Sequence, residues 1–301
     1  MTIHEYLTAV LKAQTLTDDS GELSAIQQHR ENVDKLLREQ FADSSPTIRY
    51  GGSKAKGTMI KESYDLDIIC YFPRDNEDAG GTLEDIYNNA RAALQKKYVV
   101  EPKTSALRLM DADPTRRGLD FHIDVVPGRF TDDSKTDAYL YQSNADKKRL
   151  KTNINVHISH VRDSGVTDAI RLVKLWKVRN GIAIKTFILE LAVIKLLTNQ
   201  KKSSLDAQLT HVWTKLRDQI DDLVVEDPAN PQGNDLSGAL AGAKDSLRTV
   251  ARRTLSLIES SGWETVFGSV DKKSDNDMQA SLRRVASTVS TPTRPWCTDV
   301  T

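Results

Sequence analysis

Eight residues constrain this chain more than any others: Asp65-Leu66-Asp67-Ile68-Ile69-Cys70-Tyr71-Phe72. Side chains alternate along a strand, so Asp65 and Asp67 share one face while Leu66, Ile68, Cys70 and Phe72 take the other. The apolar face needs a packed layer. The carboxylate face needs a cation, because two acids that close repel. A second run repeats the pattern: Leu119, Phe121, Ile123 and Val125 form one face, and Asp120, His122 and Asp124 the other. If the two strands are neighbours, Asp65, Asp67 and Asp124 converge. Oxygen donors of this kind suit Mg²⁺, which keeps water and substrate phosphates as its remaining ligands. Three carboxylates can hold two such ions ~3.5–4 Å apart, the arrangement that clamps both oxygens of a phosphoryl displacement.

The turn upstream points the same way. Gly51-Gly52-Ser53 follows an expected strand at 47–50 and stands twelve residues before Asp65. Glycines let backbone amides approach a phosphate closely, and the serine hydroxyl adds a donor.

The remaining pattern divides the chain. Leu23, Ile26, Val33, Leu36, Leu37 and Phe41 predict a helix over 20–41, with Asp19 and Glu22 as a cap pair and Arg30 interrupting the apolar face. A helix over 82–97 capped by Thr82, and strands at 98–101, 106–110 and 119–126, complete a mixed α/β layer. Beyond Tyr141 the spacing turns helical, over 145–163, 168–178, 185–199, 205–223 and 236–260. Residues 225–234 form a turn-rich loop. The expected division is 1–142, 143–268 and a weakly ordered tail, 269–301, with a short helix near 281–285.

Composition removes several classes of function. The 42 basic residues equal the 42 acidic ones, so broad coating of duplex nucleic acid is not expected. Cys70 and Cys297 are the only cysteines, too few for a disulfide framework or a cysteine-rich zinc site. His157 and His160 are expected to pack or face water, and the basic run 147–151 to form a solvated helix face. No apolar run is long enough to span a membrane, and no secretory signal is expected at the N-terminus, which suggests the cytoplasm.

Gly52-Ser53, Asp65-x-Asp67 and Asp124 together resemble the polymerase-beta-type nucleotidyltransferase superfamily. Arg171-Leu172-Val173-Lys174-Leu175-Trp176-Lys177 and Thr186-Phe187-Ile188-Leu189-Glu190-Leu191 resemble the helices of oligoadenylate synthetases and of the bacterial cGAS/DncV-like enzymes, the CD-NTases. The D-P-x-x-P-x-x-N pattern of 227–234 is similar to their C-terminal domain. The resemblance covers roughly 20–262. It implies a polymerase-beta-like α/β core joined to a helical domain, with the site in the cleft between them and the 20–41 helix bracing both lobes.

The same resemblance assigns roles. Asp65, Asp67 and Asp124 would bind two Mg²⁺ ions, with Asp124 favouring deprotonation of the acceptor hydroxyl. Gly52, Ser53, Lys174 and Thr186 would hold the donor triphosphate. Phe187 would stack on its base, which any base tolerates. The implied activity is the joining of NTPs, ATP among them, into a cyclic di- or trinucleotide containing adenine, as an anti-phage second messenger. Alternatives are a linear 2′–5′ oligonucleotide synthetase, a transferase placing one nucleotide on an RNA, protein or small molecule, and a nucleotide-binding module without catalysis. The implied partner is a HORMA-type protein, for which the tail is a candidate contact. DNA sensing through a zinc thumb is not expected, since the cysteines for one are missing.

Overall fold

A computed structural model of the chain describes residues 1–16, 21–113, 120–234 and 236–270, without the side chains of 21–26 and 120–121. The Asp19–Glu22 cap and the 281–285 helix lie outside this description. The described strands form one sheet: β1 (Thr47–Tyr50), β2 (Leu66–Phe72), β3 (Tyr98–Pro102), β4 (Leu107–Asp111), β5 (Asp120–Phe130), β6 (Ala138–Tyr141) and β7 (Arg149–Thr152). Its order is β1-β2-β5-β4-β3, with β6 on β5 and β7 on β6. Among the described strands, β2 and β5 alone pair in parallel.

The expected alternation governs the packing. Leu66, Ile68, Cys70 and Phe72 enter one core with Ile123 and Val125, beneath α2 (Gly21–Gln40) and α4 (Leu83–Leu94). On the opposite face, Ile69 and Tyr71 pack with Phe130, Ala138 and Leu140. Thr82 caps α4 as expected, in a reciprocal box with Asp85, a device that contributes about 1 kcal/mol.

The second lobe contains α5 (Ile154–Arg162), α6 (Thr167–Arg179), α7 (Thr186–Leu196), α8 (Leu205–Asp218), α9 (Ser237–Ala241), α10 (Lys244–Ser261) and α11 (Glu264–Phe267). Its centre is aromatic. Trp213 lies 6.0 Å from Trp176 and 5.6 Å from Trp263, and the Trp176 indole donates to Thr254 Oγ1.

Several expectations are corrected. Residues 145–163 are not one helix: β7 comes first, because its backbone pairs with β6, and α5 begins only after the Asn153 cap. The helix expected over 205–223 stops at Asp218, and the one over 236–260 breaks at Gly242-Ala243. An unanticipated helix, α1 (Ile3–Ala13), opens the chain with a Thr2–Glu5 capping box. Its Tyr6, Leu7, Val10 and Leu11 join the core of the helical lobe, so the sheet lobe does not start at residue 1. Among its described side chains, the helix α2 packs into the sheet lobe and not across both lobes. Its described buried residues, Val33, Leu36 and Leu37, all belong to the sheet-lobe core. Among the described residues, no helix is long and apolar enough to cross a membrane.

Candidate active site

Strand pairing builds the acidic wall. The parallel register sets Asp67 directly opposite Asp124 and Leu66 opposite Ile123. A bulge interrupts β5: Leu109 pairs with Ile123 while Met110 pairs with Asp120. His122 stands in that bulge at φ 55°. From there its Nδ1 comes 3.5 Å from Asp65 Oδ1, and its ring lies 4.8 Å from that of Tyr64.

Arg108, from β4, binds the two outer acids. Its Nε and Nη2 donate to the two oxygens of Asp124 at 2.8 and 2.9 Å, and Nη2 is also 3.0 Å from Asp65 Oδ2. Lys103 Nζ is 3.6 Å from Asp124. Burial alone would raise the Asp65 carboxyl, but its hydrogen bond to His122 and the Arg108 charge outweigh burial and hold it at about 2. Asp67 has no ion-pair partner among the described residues. Burial, then Asp124 and Asp65, push its carboxyl up to about 7.

The glycine turn rests on Asp67. Gly51 N–H donates to the Asp67 carbonyl at 2.8 Å. Gly52 has φ 49°, and a Cβ there would fall 1.5 Å from Asp67 Oδ2. Only glycine permits both the backbone conformation and the approach. The short helix α3 (Gly52–Lys56) follows, carrying Ser53.

Opposite stands a basic wall, buried between α3, α6 and α7. Lys56 Nζ donates to Glu190 Oε2 at 2.8 Å, and Thr58 Oγ1 donates to Glu190 Oε1 at 2.7 Å. Lys174 Nζ donates to the Thr58 carbonyl at 2.6 Å and lies 3.8 Å from Glu190. Burial pushes the Lys174 ammonium down to about 8 against the opposing pull of Glu190. Lys177, also lowered by burial, donates to Thr186 Oγ1 at 3.2 Å.

Phe187 is half-buried, with Lys56 Nζ 4.9 Å from its ring centroid and the His157 ring 4.8 Å away. The His157 ring packs, as expected, and it is also hydrogen-bonded. Its Nε2 is 2.7 Å from Asp227 Oδ1. Asp227 is buried and also accepts from Ala229 N and Asn234 Nδ2, which ties down the 225–234 loop.

These walls enclose one cavity of about 390 Å³. Its lining includes Gly52, Ser53, Asp65, Asp67, Lys174, Thr186 and Phe187. Asp124 stands beside Asp67 in the adjoining strand, outside that lining. Sequence reasoning missed Lys56, Arg108, Lys177 and Glu190 as members of the site. The signal for Glu190 was its place as an acid inside the apolar run 187–194.

The donor set suits divalent cations. Asp67 is a buried carboxylate with no ion pair among the described residues, and Asp124 is its register partner. No three His, Cys, Asp or Glu side chains among the described residues are gathered closely enough to hold a metal by themselves. Arg108 stands among the carboxylates instead.

The sequence matches no protein-family model and no curated protein. Solved structures share its fold. The CdnC of Escherichia coli MS115-1, in complex with HORMA-deltaN, matches with a TM-score of 0.65 at 18% identity, over 90% of this chain and 98% of that one. The CD-NTase CdnG of Bradyrhizobium diazoefficiens, in complex with GTP, gives 0.64 at 15%, over 93% and 97%. The cyclic AMP-GMP synthase DncV of Vibrio cholerae gives 0.58 at 16%, over 90% and 85%. At these identities the likeness establishes the fold: a polymerase-beta-like α/β lobe joined to a helical lobe.

Proposed function

We propose that this chain is a nucleotidyltransferase that joins NTPs into a cyclic di- or trinucleotide with release of pyrophosphate. One observation carries the reading: Asp67 and Asp124 face each other in parallel register, and the Gly52–Ser53 turn rests on Asp67 where the cavity opens toward lysines and an aromatic ring. That juxtaposition suits a metal-bound triphosphate on one side and its base on the other.

The acceptor ribose hydroxyl attacks the donor α-phosphorus. A new P–O ester bond forms, the α–β bridging P–O bond breaks, and pyrophosphate leaves with the electron pair. Asp65, Asp67 and Asp124 would hold two Mg²⁺ ions, which supply charge neutralisation at the phosphate oxygens and acidify the attacking hydroxyl. Asp124, oriented by its two bonds from Arg108, favours loss of the hydroxyl proton. Ser53, Lys174 and Thr186 hold the polyphosphate, and Phe187 carries the donor base by stacking. Ring closure repeats the same displacement within the linear intermediate.

The finer reading is an adenine-containing second messenger made from ATP in anti-phage defence, by a cytoplasmic enzyme switched on by a HORMA-type partner. The fold match to a CdnC solved with such a partner supports it. Deleting residues 285–301 is then expected to change activity or partner binding.

The decisive experiment incubates the chain with Mg²⁺ and labelled ATP, GTP, CTP and UTP, singly and mixed, followed by phosphatase. A phosphatase-resistant product, absent from Asp65→Asn/Asp67→Asn, is the expected result. A phosphatase-sensitive product means a linear oligonucleotide. No pyrophosphate release, with every candidate acceptor and activator supplied, defeats the reading.

A further inference from the structure

We infer that Lys56 is a substrate-binding residue: with Lys174 it forms a buried cation pair carrying one positive charge more than Glu190 cancels, and that surplus seats a polyphosphate chain. The inference deepens the nucleotide reading of the cavity and rests on it.

The charge count is local and clear. Lys56, Lys174 and Glu190 are 6%, 3% and 1% exposed, and all three line the cavity. Glu190 gives one oxygen to Lys56 at 2.8 Å and the other to Thr58 at 2.7 Å, with Lys174 at 3.8 Å. One carboxylate cannot neutralise two ammonium groups, and a buried charge left unpaired is costly. Lys174 registers the imbalance. Burial lowers its pKa most, Glu190 opposes, Lys56 and Lys177 lower it further, and Asp65 opposes more weakly. Asp65 and Asp67 form no ion pair with either lysine among the described residues, and act on them only across the cavity, Asp67 on Lys56 and Asp65 on Lys174.

Position supplies the ligand. Lys56 ends α3, the helix that opens at Gly52 and carries Ser53, so it follows directly from the turn that rests on Asp67. Its ammonium also lies 4.9 Å from the centroid of the Phe187 ring. It therefore bridges the phosphate end and the aromatic end of one cavity. A polyanion at this point provides the close counter-charge that Glu190 alone cannot give to both lysines.

The test uses the full chain, in EDTA so that no divalent ion contributes, titrated with inorganic tripolyphosphate and then ATP. Thermal shift and calorimetry are the readouts. Lys56→Met leaves Glu190 balanced by Lys174, so the unliganded melting temperature is expected to hold or rise. Tripolyphosphate affinity is expected to fall by about tenfold or more, the loss of one hydrogen bond to a charged group. Lys56→Arg keeps the charge and is expected to keep the affinity. Glu190→Gln leaves two cations unpaired. Its unliganded melting temperature is expected to fall, and its rise on adding tripolyphosphate to exceed that of the wild type.

A purely structural Lys56 predicts the reverse: a lower unliganded melting temperature in Lys56→Met with tripolyphosphate affinity unchanged. That result overturns the inference and leaves the nucleotide reading standing. A smaller tripolyphosphate-induced rise in Glu190→Gln than in the wild type overturns it as well. If the wild type binds neither tripolyphosphate nor any NTP with Mg²⁺ restored, the nucleotide reading falls and the inference with it.

Discussion

The two walls of the cavity are charged in opposite senses, and each is left incomplete. On β2 and β5, Arg108, His122 and Lys103 attend Asp65 and Asp124, while Asp67 has no ion pair among the described residues and is pushed up to about 7. On α3, α6 and α7, Glu190 serves two lysines, and Lys174 is pushed down to about 8. Folding alone would favour neutral pairs at both places. Opposite imbalances in one cavity, at Asp67 and Lys56, suit a ligand that brings cations to one wall and anions to the other. A metal-bound polyphosphate is such a ligand.

The acidic wall is where the comparison breaks most sharply. Asp67→Asn is expected to reduce turnover by at least about 10³-fold, since metal-ligand losses are worth several kcal/mol and each 1.36 kcal/mol is tenfold. Its stability should move the other way. Burial and the neighbouring acids raise Asp67 to about 7 from 3.8, so its ionised form burdens the folded state increasingly as pH rises through that window. In EDTA at pH 8 the variant should therefore melt above the wild type. A drop in both turnover and melting temperature would mean that Asp67 is structural.

Gly52→Ala probes the turn between the walls. The added Cβ collides with Asp67 Oδ2, and φ 49° adds strain. Turnover is expected to fall about 10²-fold, the usual result of displacing a positioned group by an ångström. Gly57→Ala is the control. Its φ is 73°, but nothing lies within 4 Å of the new Cβ, so it should lose stability while keeping its KM. A smaller effect is expected at the aromatic end. Phe187→Ala should raise the KM for ATP by roughly tenfold, within the ~1–3 kcal/mol of base stacking, and leave tripolyphosphate affinity near the wild-type value.

The acidic wall was legible in the sequence because strand alternation is a local rule. Asp65 and Asp67 had to share a face, and an apolar run carrying Asp124 was the natural neighbour. The bulge at His122 was not legible, since it depends on how β4 pairs with β5. The basic wall was only half legible. Lys174 and Thr186 came from a resemblance of motifs, but Lys56 and Glu190 lie far apart in sequence and meet only when α7 docks on α3. In the same way, β7 hid behind a lysine-rich run because its strand character comes from pairing with β6. The pattern of α1 was local and available: Tyr6, Leu7, Val10 and Leu11 with a T-x-x-E cap.

The smallest expected effect tests whether the basic wall carries charge in the folded state. Lys174 is lowered from 10.5 to about 8 chiefly by burial. Below pH 8 both folded and unfolded chains hold this proton, and the full penalty for burying the ammonium is present. Between about 8 and 10.5 the unfolded chain binds more protons at this lysine than the folded one, so its contribution to stability rises with pH. Lys174→Met removes that contribution. Denaturant melts of both proteins from pH 7 to 10 should give a wild-type-minus-variant stability difference that climbs across the upper half of the range. Raised tyrosines such as Tyr6 cancel in the difference, because both proteins contain them. A flat difference would mean that Glu190 fully neutralises Lys174, and the surplus charge would then belong to Lys56 alone. In that case Lys56→Met should abolish the tripolyphosphate-induced thermal shift, while Lys174→Met leaves it intact.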